Sequence, residues 1–272
     1  MRAPRLRGRT FVVYYGYGPL PEISSYDIAI LEPAGWRRED VQALRSQGVR
    51  CIAYLSAMEA TRATLNRVGV AERQLLRLGE GPWRREQFDT YVVDPRARTW
   101  REYVLREASR LVAEGWDGVF LDNLGDVEDQ LVQDRSGWLL PAAADLVRGV
   151  RQAVGDRLLL QNNGIFLLLP LVAQLIDGVC WEGSFDPNET TGPWLRMVLE
   201  QIATVVRQEG ITPMLLGEIG EDSQAAERLE FLRGMATRYG FLAYAAPMDY
   251  AKGIRTLDGT PVAGRTAPAG RP

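Results

Sequence analysis

The sequence predicts a single-domain α/β protein built as a (β/α)8 barrel, the TIM-barrel architecture. The chain has 272 residues, a length that fits one large barrel or two small domains. Short apolar runs recur along it, and most are followed by a segment with helical periodicity. A strand-then-helix rhythm of this kind favours a closed barrel. The alternative, an open doubly wound sheet, is disfavoured because no G-x-G-x-x-G motif follows any run.

The apolar runs are continuous rather than alternating, which is typical of parallel strands that are buried on both faces. They are also rich in β-branched and aromatic residues, which favour extended structure. We therefore predict eight barrel strands, at FVVYYG (11–16), DIAILEP (27–33), RCIAYLS (50–56), DGVFLDN (117–123), LLLQNNG (158–164), DGVCWEG (177–183), TPMLLGE (212–218) and GFLAYAAP (240–247).

Residues that start and stop helices flank the amphipathic segments between these runs. GWRREDVQALRSQG places Val41 and Leu44 on one face and ends at Gly48. In DPRARTWREYVLREASRLVAEG, apolar residues recur every three or four positions, and Asp94 followed by Pro95 predicts the N-cap. Two more helices are predicted in TTGPWLRMVLEQIATVVRQEG and EDSQAAERLEFLRGMATRYG, each ending on a glycine.

One long insertion and one tail interrupt the regular pattern. The insertion follows the third strand at about residues 59–94, and it carries Trp83, Phe88 and Tyr91. Long insertions that carry aromatic residues are commonly functional. We assign residues 1–253 to the barrel and predict that the Gly/Pro-rich tail, 254–272, is loosely ordered.

The amino-acid composition excludes several catalytic mechanisms. The chain contains no His, which excludes Ser-His-Asp and Cys-His nucleophile systems, His general bases and His-ligated zinc. Lys252 is the only Lys and lies past the last predicted strand, which disfavours a Schiff-base enzyme. Carboxylates, Tyr and two Cys remain for acid–base work.

Charge, hydropathy and cysteine positions give no indication of a nucleic-acid, membrane or metal partner. The net charge of −3 gives no reason to expect nucleic acid or anionic membranes as partners. No apolar run approaches 18 residues, so no membrane span is expected. Cys51 and Cys180 lie in apolar runs without metal-site spacing, so we predict buried thiols. No signal peptide is visible, which suggests a cytoplasmic protein or one whose export signal has been removed.

Nearly every predicted strand ends in a carboxylate or an amide. In a barrel, the carboxyl-terminal strand ends and the loops after them meet at one face, which carries the active site. These side chains would therefore converge on one acidic, amide-rich pocket. They are Glu32, Glu59, Asp122, Asn123, Asn162, Asn163, Glu182, Glu218 and Asp249.

An acidic pocket without His or Lys suits glycoside hydrolysis, in which one carboxylic acid protonates the leaving oxygen and a second carboxylate attacks or activates water. Asp122 and Glu182 are the strongest candidates, and Asp126, Glu128 and Asp129 are interpreted as a solvated loop. Asn and Tyr side chains can bind sugar hydroxyls. Flat Trp faces, including that of Trp194, can stack on sugar rings or simply pack in the core. The expected substrate-binding residues are Tyr15, Tyr54, Glu59, Trp83, Asn123, Asn162, Asn163, Trp181, Glu218, Tyr244 and Asp249.

An ordered set of motifs resembles a known family. GWDGVFLDNLGDV, CIAYLSAMEA, YVVDPRARTWREYVL, LLQNNG and CWEGSF together are similar to the endo-α-1,4-polygalactosaminidase-like proteins of glycoside hydrolase family 114. The resemblance runs from about Phe11 to Pro247. It implies a TIM barrel that acts without a cofactor on a polysaccharide or oligosaccharide containing α-1,4-linked galactosamine. It also implies Asp122 and Glu182 as the catalytic pair.

The assignment of roles and two other functions stay open at this level. We favour Glu182 as the acid and Asp122 as nucleophile or base, and retention or inversion depends on a separation that sequence does not give. A carbohydrate-binding barrel without turnover is one alternative. A magnesium-dependent lyase or isomerase with oxygen ligands is the other, although it lacks the usual Lys or His base. Its ligands would be Glu59, Asp122, Glu182 and Glu218.

Overall fold

Eight parallel strands form one sheet in which each strand pairs with the next along the chain. The structure is a computed structural model that describes residues 6, 8–129, 139–187, 193–247 and 249–265. The sheet curves into a nearly closed barrel, which confirms the predicted fold class. Its strands are β1 (Phe11–Tyr14), β2 (Ile28–Leu31), β3 (Arg50–Ser56), β4 (Gly118–Asp122), β5 (Leu158–Asn162), β6 (Gly178–Glu182), β7 (Thr212–Glu218) and β8 (Leu242–Ala246).

Helices alternate with the strands and cover the outside of the sheet. Each buries an apolar face, as the 3.6-residue periodicity predicts; in the first helix this face is Val41 and Leu44. Gly210 and Gly240 follow two of the helices with positive φ angles of 71°, the left-handed geometry that ends a helix. The helices are α1 (Arg38–Ser46), α2 (Arg62–Val68), α3 (Arg98–Ala113), α4 (Leu139–Val154), α5 (Leu169–Val172), α6 (Pro193–Glu209) and α7 (Ala225–Tyr239).

The predicted N-cap at Asp94 is wrong. Helix α3 begins four residues later, at Arg98, with Ala97 as its N-cap. The Asp94 carboxylate instead accepts a hydrogen bond from the Arg96 N–H (2.8 Å), and the Asp94 carbonyl accepts one from the Ala97 N–H (2.9 Å). Pro95 therefore opens a separate turn that precedes the helix.

The insertion after β3 folds into a small layer beside the mouth of the barrel. Its segments Glu59–Thr61, Thr90–Val92 and Arg84–Arg85 form a three-stranded antiparallel sheet. Trp83 is buried, whereas Phe88 is 65% exposed. The predicted insertion is thus an ordered structure that supplies part of the wall around the barrel end.

The C-terminal segment covers the seam between the first and last strands. The tail was expected to be loosely ordered, but Gly253–Arg255 and Pro261–Ala263 form an antiparallel hairpin with Ile254 fully buried. The Arg255 N–H donates to the Tyr244 hydroxyl (3.1 Å), and the Tyr26 hydroxyl donates to the Arg255 carbonyl. Tail residues 266–272 lie outside the described residues.

Two Asp-Gly turns at the amino-terminal ends of β4 and β6 tie neighbouring strands together. The Asp117 carboxylate accepts from the Cys51 N–H (3.0 Å) and from Arg45 Nε (3.0 Å). In the same way, the Asp177 carboxylate accepts from the Leu159 N–H (3.0 Å) and Arg151 Nη1 (2.9 Å). Both carboxylates are buried, so each depends on its arginine and its N–H partner to offset desolvation.

The glycine after Asp117 is required by close packing. A Cβ atom at Gly118 would lie 2.3 Å from the Leu158 carbonyl oxygen, a backbone atom of the neighbouring strand. Any larger residue would push β4 and β5 apart. The Asp-Gly pair is therefore a structural unit at this end of the barrel.

Replacing Asp177 by Ala is expected to lower the free energy of unfolding by about 3 kcal/mol, because it leaves the partly buried Arg151 guanidinium without its carboxylate. Urea unfolding followed by circular dichroism measures the change. Asp145→Ala is the control, since it removes an exposed carboxylate paired with Arg148 on α4 and should leave the midpoint unchanged. Equal midpoints for Asp177→Ala and the unaltered protein would contradict this account.

Candidate active site

The carboxyl-terminal strand ends open into one cavity of about 1640 Å³. Residues from the loops after the strands and from the insertion after β3 complete its wall. Most of the residues selected from the sequence line it. They are Tyr15, Glu32, Tyr54, Glu59, Trp83, Asp122, Asn123, Asn163, Trp181, Glu182 and Asp249.

Two carboxylates at this end share one hydrogen-bond donor. The Asn162 side-chain nitrogen donates to Asp122 Oδ1 at 2.8 Å and to Glu182 Oε2 at 2.9 Å. The nearest oxygens of the two carboxylates are therefore separated by no more than the sum of these two lengths. Asn162 is fully buried, so the bridge lies below the floor of the cavity.

The strand order explains this arrangement. β5 lies between β4 and β6 in the sheet, and all three run in the same direction. Asn162 ends β5 and pairs in register with Cys180, two residues before Glu182. The ends of three consecutive barrel strands thus bring Asp122, Asn162 and Glu182 to the same level.

Burial dominates the electrostatics of the pair. It raises the pKa of the Asp122 carboxyl, and hydrogen bonds from Asn162, the Asn123 N–H and Tyr54 offset part of that rise. Burial also raises the pKa of the Glu182 carboxyl, and the neighbouring Asp122 charge raises it further; Tyr250 and Asn162 oppose both. Glu182 is thus pushed towards the protonated form by its partner, whereas Asp122 is surrounded by donors that favour its anion.

Tyr250 is the main functional candidate that sequence reasoning missed. Its hydroxyl donates to Glu182 Oε1 at 2.6 Å. The turn that carries it is fixed by Asp249, whose carboxylate accepts from the Ala251 N–H at 2.9 Å. Its position next to Asp249, which the sequence did single out, is the signal that could have identified it.

Three tyrosines form one wall above the carboxylates. The Tyr15 ring lies 4.7 Å from that of Tyr54 and 5.5 Å from that of Tyr250, measured between centroids. Burial raises the pKa values of all three hydroxyls, so they remain protonated donors. All three line the cavity.

Two asparagines end strands in left-handed backbone geometry and orient their neighbours. Asn123 and Asn163 have φ angles of 62° and 56°, a region that Asn tolerates better than most residues. Asn123 Oδ1 accepts from the Ser56 hydroxyl at 2.7 Å. Asn163 Oδ1 accepts from the Glu182 N–H at 3.1 Å, which fixes the backbone that carries that carboxylate.

The interpretation of Asp126, Glu128 and Asp129 as a solvated loop is wrong for Asp126 and Glu128, whereas Asp129 is exposed. Asp126 is only 4% exposed, and its carboxylate is bonded to Arg85 of the insertion. Arg85 also lies 3.0 Å from Asp129 Oδ2 and 3.6 Å from Glu59 Oε1. Burial, and then the adjacent Glu59 charge, raise the pKa of the Asp126 carboxyl well above its usual range. This cluster fastens the insertion to the loop after β4.

Three predicted substrate-binding residues do not line the cavity: Asn162, which is buried below its floor, Tyr244 and Glu218. The Tyr244 hydroxyl accepts from the Arg255 N–H, and its ring packs against Phe11 and Tyr26 near the seam. Glu218 ends β7 but is exposed outside the lining. Strand position alone does not decide which way a terminal side chain points.

Three further observations bear on the predicted partners. Within the described ranges, no group of three or more Cys, Asp or Glu side chains is arranged to hold a metal ion. Among the same residues, no helix is long and apolar enough to cross a membrane. Cys51 and Cys180 are buried free thiols, as predicted.

An α/β barrel with facing carboxylates at its carboxyl-terminal end is an arrangement found in glycoside hydrolases. The sequence model of glycoside-hydrolase family GH114 matches residues 5–207, and the chain belongs to that family. Family membership makes it a glycosidase. No match was found among curated protein sequences.

Solved structures of other glycosidases share the fold. The glycoside hydrolase domain of PelA from Pseudomonas aeruginosa is 24% identical, with a TM-score of 0.72, covering 94% of this chain and 99% of that domain. Ega3 from Aspergillus fumigatus, in complex with galactosamine, is 14% identical, with a TM-score of 0.69 and coverages of 92% and 96%. An α-galactosidase from Thermus thermophilus is 15% identical, with a TM-score of 0.60 and coverages of 92% and 60%. These likenesses establish the fold.

Replacing Tyr250 by Phe is expected to raise the pKa of the Glu182 carboxyl, because the lost hydrogen bond stabilises the charged form. A ¹³C NMR titration of labelled glutamate carboxyls measures this, with the Glu182 signal identified by its absence in Glu182→Gln. Tyr239→Phe, on α7 and outside the cavity, is the control and should leave the titration unchanged. An unchanged or lowered Glu182 pKa in Tyr250→Phe would contradict the assigned contact.

Proposed function

We propose that the protein hydrolyses an amino-sugar polysaccharide of the α-1,4-galactosaminide type, with Asp122 and Glu182 as its catalytic pair. The observation that carries this proposal is the single Asn162 nitrogen that joins the two partly buried carboxylates at the cavity floor. Membership of GH114 supports the reaction class, and the galactosamine complex of Ega3 supports the class of sugar.

The environments of the two carboxylates support different roles. Glu182 is the acid, because burial and the nearby Asp122 charge both raise its pKa and so favour its protonated form. Asp122 is the nucleophile, because Asn162, Tyr54 and the Asn123 N–H all donate to its charged form. Burial raises both pKa values, but only that of Glu182 is raised further by the charge of its partner, which favours Glu182 as the acid.

The short separation of the pair supports a retaining reaction. Retaining glycosidases hold their carboxyl groups about 5–5.5 Å apart, whereas inverting enzymes need about 6.5–9.5 Å to leave room for water. The nearest oxygens of Asp122 and Glu182 bond to one nitrogen at 2.8 and 2.9 Å, so their distance cannot exceed the sum of these lengths, and this upper limit is shorter than the inverting range. Direct attack by Asp122 is therefore favoured over activation of a water molecule.

The reaction then has two balanced steps. In the first, an Asp122 oxygen bonds to the anomeric carbon as the glycosidic C–O bond breaks, and Glu182 gives its proton to the leaving oxygen. In the second, the Glu182 carboxylate takes a proton from water while that water attacks the anomeric carbon and releases Asp122. Glu182 ends protonated, as it began, and Tyr250 holds its second oxygen throughout.

The charge of the cavity supports a cationic sugar. Ten acidic residues line it, including Glu32, Asp122, Glu182 and Asp249, against the four arginines Arg67, Arg84, Arg85 and Arg110. Arg85 is paired with Glu59, Asp126 and Asp129. A concave surface with excess negative charge concentrates cations, and an unacetylated amino sugar carries an ammonium group. Tyr15, Tyr54 and Trp181 line the cavity beside the pair, and we assign them to contacts with the sugar at the catalytic centre.

Asp122→Asn and Glu182→Gln are each expected to lower kcat by about 10²–10⁴-fold, because each removes a proton-transfer or nucleophilic group while keeping its shape. The assay measures reducing ends released from an α-1,4-linked galactosamine polymer. Asp145→Asn, which alters an exposed carboxylate on α4, is the control and should retain full activity. Full activity in both catalytic variants would overturn the assignment, and binding without any release would point instead to a non-catalytic carbohydrate-binding barrel.

A further inference from the structure

An exposed aromatic pair lies at the cavity rim on the side of the loops after β5 and β6. Trp194 is in the first turn of α6 and is 58% exposed. Its ring centroid lies 4.9 Å from that of Phe166, with the ring planes inclined by 40°. Leu167, 45% exposed, adjoins Phe166. These three residues, here called the rim platform, form apolar surface of the kind that marks ligand-binding grooves.

The loop that carries Phe166 and Leu167 is held by a carboxylate. Glu128 accepts hydrogen bonds from the backbone N–H groups of Phe166, Leu167 and Leu168 at 3.3, 2.8 and 3.0 Å. A charged acceptor that satisfies three N–H groups fixes the turn strongly. The platform is therefore preorganised, and its exposure is not the result of a loose loop.

The platform belongs to the same cavity as the catalytic pair. Phe166, Leu167 and Trp194 line it together with Asp122 and Glu182. Phe166 lies three positions after Asn163, which directly follows β5, so the chain between them spans at most about 10 Å. A ligand with several linked rings can thus reach the platform while one of its bonds lies between the carboxylates.

We propose that the rim platform is a sugar-binding subsite outside the catalytic centre, which stacks on the apolar face of a pyranose ring further along the same polysaccharide. This inference rests on the proposed function. Trp194 supplies the exposed ring face, Phe166 supports it from behind, and Glu128 is the positioning residue for the loop. Large aromatic rings bind flat apolar faces at a low cost in conformational entropy.

The subsite predicts a preference for long substrates. A single sugar fills the catalytic centre without touching the platform, whereas an oligosaccharide gains the additional stacking contact. Loss of the Trp194 ring should therefore weaken binding of long chains and leave that of the monosaccharide unchanged.

The test measures binding and turnover separately for Trp194→Ala and for its matched control Met197→Ala. Met197 lies on the same helix and is similarly exposed, at 52%, but does not line the cavity. Calorimetric titration of a long α-1,4-linked galactosamine oligosaccharide, in a Glu182→Gln background, should show a dissociation constant raised roughly tenfold by Trp194→Ala alone. Glu128→Gln should produce a smaller change in the same direction, and galactosamine itself should bind all variants equally.

The possible results distinguish failure of the subsite from failure of the proposed hydrolysis. Equal oligosaccharide affinity in Trp194→Ala and Met197→Ala, or no binding to the Glu182→Gln protein, would overturn the subsite. If Trp194-dependent binding is found but the unaltered protein releases no reducing ends, the subsite stands and the proposed hydrolysis fails. If reducing ends are released at the same KM by Trp194→Ala and the unaltered protein, the hydrolysis stands and the subsite fails.

Discussion

The candidate site depends on one side-chain amide, that of Asn162, which donates to two partly buried carboxylates at once. Two carboxylates at such short range repel each other, and burial adds a desolvation cost to each. Hydrogen bonds from Asn162 to both carboxylates, and from the Tyr250 hydroxyl to Glu182, offset part of this repulsion and desolvation cost. The remaining repulsion favours one protonated and one charged group, which is the state that two-carboxylate hydrolysis needs.

The barrel separates this costly arrangement from the contacts that stabilise the fold. At the amino-terminal strand ends, Asp117 and Asp177 are paired with arginines and backbone N–H groups, so their charges are fully matched. At the carboxyl-terminal ends, no described residue pairs a cation with Asp122 or Glu182, and the donors found there are neutral. The paired carboxylates at the amino-terminal strand ends stabilise the fold. The carboxylates at the carboxyl-terminal ends, which lack such pairing, are of the kind that occurs at functional sites.

The sequence predicted the barrel and its strands because continuous apolar runs and strand-end polar residues are local signals. The sequence also predicted that Asp122 and Glu182 lie near each other, because parallel strands in sequential order place their carboxyl ends at the same face. It could not predict contacts made by distant loops. Asp126 is buried under a contact with Arg85, which lies 41 residues earlier in the chain. Tyr244 accepts a hydrogen bond from Arg255 of the C-terminal hairpin and therefore lies at the seam. Contacts between residues so far apart in the chain produce no periodic pattern from which they could be predicted.

The most direct test of the central claim is to trap the covalent intermediate that a nucleophilic Asp122 would form. The protein is incubated with a 5-fluoro galactosaminyl fluoride, digested, and its peptides are analysed by tandem mass spectrometry. The account predicts a glycosyl ester on Asp122, and a faster loss of that ester when an acceptor sugar is added. A label on Glu182, or no label together with products of inverted anomeric configuration, would contradict it.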